Sequence, residues 1–83
     1  MSMFKAPADR RIMTQVKLVR RDNDHTFETV VWLEAGGKLH RGMRVRLYGE
    51  EVWWDVDAAY STMERGSINR DWKVGGIVKA YGR

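Results

Sequence analysis

Few residues in this chain are of types that do covalent or metal chemistry. There is no cysteine and there are two histidines, which excludes disulfides and thiolate metal sites. His25 sits beside Asp22 and Asp24, a grouping that could act as a base or hold a metal. No second histidine stands at ligand spacing, so a closed zinc site is not expected. Asp22-x-Asp24 has the opening of a calcium loop, but Phe27 stands where the loop glycine belongs and the spaced glutamate is missing. A polar hairpin turn accounts for the segment. Gly36-Gly37 and Gly75-Gly76 match neither phosphate-loop pattern and read as turns. Ser61 and Ser67 have no histidine and acid in a nucleophile context. The expectation is a non-enzyme with no cofactor and no metal.

What remains is binding chemistry. Arginine outnumbers lysine ten to five, and the planar guanidinium fork suits phosphates and base edges. Lys17, Arg20, Arg21, Lys38, Arg41, Arg44 and Arg46 could form a basic face for nucleic acid. Trp32 and Trp53 fall on the polar sides of their strands. If exposed, they could stack on bases or anchor a protein interface. If covered, they pack under the N-terminal arm or the loop at 61–75, while Trp54 and Trp72 belong to the core or its lid. The charge runs in blocks: residues 1–21, 38–46 and 65–83 are basic, and 22–37 and 47–64 are acidic. Such blocks can pair across neighbouring strands, and the acidic ones would repel a phosphate chain. The acidic strand face of Glu51, Asp55 and Asp57 suits a protein partner better.

These residues need elements to position them. Eighty-three residues with 43% hydrophobic content and a net charge of +4 suit one small domain rather than a disordered chain. No apolar run is long enough for a membrane span, so a cytoplasmic location is expected. Residues 1–10 read as a flexible arm. From Arg11 the hydrophobic period is two: Ile12, Thr14, Val16 and Leu18 mark a first strand, and Phe27, Thr29, Val31 and Leu33 a second. Met43, Val45 and Leu47 mark a third. Val52, Trp54, Val56, Ala58 and Tyr60 mark the inward face of a fourth. Residues 61–75 break the alternation and read as an irregular loop, and Ile77–Tyr81 is a short last strand. Five short strands and little helix predict an all-β domain curled into a barrel. Gly49-Glu50 leaves no room for the helix that an OB-fold carries between its third and fourth strands, which favours a five-stranded SH3-like barrel over 11–83.

The segment Leu39-His40-Arg41-Gly42-Met43-Arg44-Val45-Arg46-Leu47 has the form L-x-x-G-x-x-V-x-L. It resembles the turn leading into a strand in many SH3-like barrels, KOW and Tudor-like modules among them, with the glycine taking an unusual backbone angle. With Val30-Val31-Trp32-Leu33, Trp53-Trp54-Asp55-Val56 and Ala59-Tyr60-Ser61-Thr62, residues 28–62 resemble small SH3-like proteins encoded in tailed-bacteriophage genomes. The resemblance implies a barrel that contacts other proteins, as a regulator of a host protein or a virion component. The expected function is thus a small protein-interaction module. The alternative is a nucleic-acid binder that uses the basic residues and an exposed tryptophan. A homodimer through an edge strand would suit a domain with so little core.

Overall fold

The structure, a computed structural model, describes residues 9–34 and 38–82. The expected flexible arm therefore falls almost wholly outside the described residues, as do Ala35, Gly36 and Gly37 of the expected turn. Strand β1 (Ile12–Asp22) runs into β2 (His25–Leu33) through the two-residue turn Asn23-Asp24. Asn23 sits at φ 57°, a left-handed conformation that asparagine tolerates better than most residues. The hairpin pairs without a register shift from Asp22↔His25 to Thr14↔Leu33. The polar stretch at 20–25 is thus the hairpin end its composition suggests.

Strands β3 (Arg44–Leu47) and β4 (Trp53–Glu64) follow. Gly42, at φ 97°, turns the chain into β3, as the L-x-x-G motif implies, and Gly49, at φ 86°, turns it out again. Met43, Val45 and Leu47 are buried, as their alternation requires. β4 then lies antiparallel to β1 with two register shifts. Thr62 to Ala59 spans three steps against two from Thr14 to Val16, and Ala58 to Val56 spans two against one from Lys17 to Leu18. Each extra residue exchanges the faces of the strand beyond it. Trp54 and Val56 point inward as expected, but Ala59 rather than Ala58 lies opposite buried Val16. Tyr60, expected inside, is 56% exposed.

A single 3-10 turn at Arg65–Ser67 precedes β5 (Val74–Gly75) and β6 (Ile77–Tyr81). The strand order is β5-β2-β1-β4-β3-β6. β5 runs parallel to β2 at Trp32 and Leu33, and β6 runs antiparallel to β3. One continuous stretch of chain therefore reaches from one edge of the sheet to the other, and the sheet is a nearly closed barrel. The fold is all-β, a small barrel of the SH3-like kind. It has six strands rather than five, because the two-residue β5 is too short to show a period. The expected irregular loop is also corrected: 61–64 continue β4 and 74–75 form β5, so only 65–73 are irregular.

Two hydrophobic clusters hold the domain. The barrel interior contains Val16, Leu18, Val31, Leu33, Leu39, Met43, Val45, Leu47, Trp54 and Val56, with Ile77 packed at its margin. A second cluster of Met13, Trp32 and Ile68, with Met63 against it, is built on the outer face. Met13 pairs with Met63, and Trp32 lies opposite Gln15, so these side chains alternate away from the interior set. The segment after the 3-10 turn covers them. Arg65 N–H donates to Arg11 C=O and Gly66 N–H to Asp9 C=O, each at 2.8 Å, and Trp32 N–H donates to Lys73 C=O at 2.9 Å.

Candidate binding cleft

The end of the barrel nearest the β1–β2 turn carries a cleft of about 440 Å³. β1 supplies Val19, Arg20 and Arg21, β2 supplies Thr26 and Glu28, β3 supplies Arg44, and β4 supplies Trp53, Asp55 and Asp57. Val52 and Asp22 line its extension. Sheet register explains the convergence. Val19 lies opposite Glu28 on one side and Asp55 on the other, and Asp55 lies opposite Arg44. Outward side chains from four adjacent strands therefore meet in one row, while Arg20, beside outward Arg21, turns its side chain to the other face of the sheet.

Charges in and beside this row are interlocked. Lys17 reaches Glu28 at 3.6 Å and Asp57 at 3.7 Å, and Arg44 reaches Asp55 at 3.4 Å. Glu28 is the main cause of an upward shift in the Lys17 pKa, with Asp57 adding to it against the cost of partial burial. These pairs realise the cross-strand pairing that the charge blocks suggest. They are exposed and contribute little stability each.

Aromatic faces position the arginines. Trp53, half-buried, stacks on Tyr81 with centroids 5.1 Å apart, and the Arg44 guanidinium lies 5.7 Å from the Trp53 centroid. The Arg20 guanidinium lies 4.4 Å from the Phe27 centroid and 5.2 Å from that of Trp54. Trp54 is itself buried and donates from Nε1 to Glu50 Oε1 at 2.7 Å. Arg20 thus sits over the mouth of the barrel with its plane held by aromatic contacts.

Of the sequence-predicted residues, Arg20, Arg21, Arg44 and Trp53 line the cleft, and Lys17 ties together two of its acids. Arg46 lies opposite both Trp53 and Lys79, beside the cleft rather than in it. Lys38 and Arg41 are exposed on the approach to β3 and do not join the others, so the basic residues form no single face. Trp32 takes the covered alternative and is not an exposed binding residue. It is 3% exposed because the 65–73 segment lies over it, with Trp72 stacked at 5.8 Å and 45% exposed as a lid. Phe27, on the same side of its strand as buried Val31 and Leu33, is 42% exposed because it sits at the open end of the barrel, where the Arg20 guanidinium lies over it. Alternation could not reveal that role. Thr26 and Glu28 in the lining also went unsignalled, whereas the acidic β4 face was legible. His25 lies on the hairpin end near Phe27. Among the described residues no group of three or more His, Asp or Glu is placed to hold a metal ion, and no helix is long and apolar enough to cross a membrane. No family model matches the chain, and no curated protein or solved structure is significantly similar to it.

Proposed function

We propose that the domain is a non-enzymatic protein-interaction module that presents the Trp53 cleft to a protein partner. The observation that carries this reading is the mixed lining: Arg21 and Arg44 share the cleft with Glu28, Asp55 and Asp57 beside Trp53. A continuous phosphate chain would meet three carboxylates there, whereas a protein surface can complement both signs. Arginine and tryptophan are also the side chains that most often dominate protein interfaces. The resemblance of residues 28–62 to small barrels of tailed-bacteriophage genomes supports a host protein or virion component as the partner, met in the bacterial cytoplasm. Affinity capture from a bacterial lysate with the wild-type domain and with Trp53→Ala checks the reading. A protein retained by the first and lost by the second is expected; recovery of nucleic acid alone would overturn it.

A second reading, nucleic-acid binding, is favoured by a narrower observation. Arg46 and Lys79 lie opposite each other beside the Trp53–Tyr81 stack, so cations flank an aromatic platform. Binding to an oligonucleotide that weakens steeply as salt rises would support it. β6 ends the sheet order, and pairing of two such edges is the route by which a homodimer would form.

A further inference from the structure

Three strands leave part of an edge without a neighbour among the described residues. β4 pairs with β3 only from Trp53 to Asp55, β6 pairs only with β3, and β2 meets β5 only at Trp32 and Leu33. The ladders behind the first two edges shift register, β4 against β1 and β6 against β3, and such bulges twist an edge away from a further strand. The β1–β2 ladder has no shift over its whole length. Trp32 N–H turns away from β1 to Lys73 C=O. Outward amides recur every second residue along an antiparallel strand, so Val30, Glu28 and Thr26 turn their N–H and C=O groups to the same edge. All three residues are exposed, and among the described residues no strand pairs with them on that side. The Lys73 side chain reaches back along the edge as far as Thr29 Oγ1, at 3.2 Å. A straight, open edge of this kind is a template for another strand.

The chemistry of the edge selects its occupant. β2 holds no lysine or arginine, and its one formal charge is Glu28. The adjoining turn adds Asp24, which forms no ion pair among the described residues. The cations Lys17 and Arg21 stand one strand further in, on β1. Glu28 meets Lys17 at 3.6 Å and stays 56% exposed, which leaves room for a second cation. Phe27, on the other face of the strand, keeps part of its ring exposed. We propose that β2 receives an extended segment of a partner protein as an added strand, with a lysine or arginine opposite Glu28 and an apolar residue beside Phe27. A second copy of β2 fits poorly, because it brings no lysine or arginine to Glu28. The inference rests on the protein-interaction reading: Thr26 and Glu28 also line the Trp53 cleft, so the added strand lies along its rim.

Selection of a displayed random-peptide library against the full chain, followed by titration with a synthetic enriched peptide, tests this. Enriched peptides are expected to share a basic residue next to an apolar one. Binding should slow hydrogen exchange at the Thr26, Glu28 and Val30 amides and leave Phe27 and Thr29, already bonded to β1, little changed. N-methylation of the peptide should abolish binding at alternate positions, those whose N–H faces β2, and be tolerated at the positions between. Glu28→Gln should weaken binding about two- to fivefold, the scale of an exposed cross-strand charge pair. Replacing the peptide's basic residue by glutamine should then have little further effect, the signature of direct coupling. Three outcomes overturn the inference while leaving a protein-binding cleft. Peptides could shift the Trp53 indole resonance without slowing those amides, be indifferent to N-methylation at every position, or bind the edge without sharing a basic residue. Failure of any peptide to enrich overturns it as well. If lysate capture then still depends on Trp53, the protein-interaction reading stands; if nucleic acid alone is captured, that reading falls too.

Discussion

Trp32 and Trp53 occupy similar positions in sequence, each on the outward side of a strand beside aliphatic neighbours, yet they have different surroundings. Trp32 is covered by the 65–73 segment and joins a cluster with Met13 and Ile68. Trp53 remains at a cleft with Tyr81 on one face. Trp32→Ala should therefore cost about 3–5 kcal/mol, while Trp53→Ala gives up chiefly a stacked pair worth about 0.5–1.5 kcal/mol. Urea unfolding of the two variants should separate them clearly, and equal losses would contradict the second cluster. Hydropathy alternation shows which side of a strand faces outward, but it does not show whether another segment lies over that side. For this reason the sequence left both tryptophans open between exposed and covered, and only the structure separates them. Asp9 offers a further residue-scale test. Hydrogen bonds from the Arg11 side chain and backbone hold its carboxyl well below the usual range, at about 2. A depressed carboxylate pKa contributes stability that is complete above about pH 4 and is lost as pH falls through about 2. Asp9→Asn should flatten that part of the acid limb in pH-dependent unfolding, and an unchanged limb would show that the pair is not coupled to folding.

At the scale of elements, the β1–β2 hairpin was legible because polar turn formers separate two runs of period two. Asn23 carries its geometry. Asn23→Val should destabilise by about 1–2 kcal/mol through the left-handed φ, and Asn23→Gly should be tolerated or mildly stabilising, as thermal melts of both would show. β4 was legible only in its first half. Its two register shifts come from tertiary pairing with β1, and nothing in the run Val52 to Tyr60 marks where an extra residue is accommodated. The short β5 was invisible for a different reason. Two residues carry no period, and their strand character comes from Trp32 and Leu33 alongside them.

For the whole molecule, closure depends on the passage through Gly75 from one edge of the sheet to the other. A Cβ at Gly75 would stand 3.2 Å from Leu33 Cδ2 and 3.3 Å from Val31 Cγ2, both fully buried side chains with little room to move. Gly75→Val should cost about 1–3 kcal/mol by overpacking. It should also speed hydrogen exchange in β2 and β3 together, since both edges depend on the same crossing. Exchange that rises in β2 alone would mean that the two halves of the closure are independent.

The crossing also sets a timetable on the ribosome. β2 and β3 are synthesised before β5 and β6, the strands that pair with their free edges. Until then the nascent chain displays two uncapped strand edges to its neighbours, the kind of surface that invites misassociation. Production of this small domain in the cell should accordingly respond more to translation speed and to chaperones that shield nascent strands than its equilibrium stability would suggest.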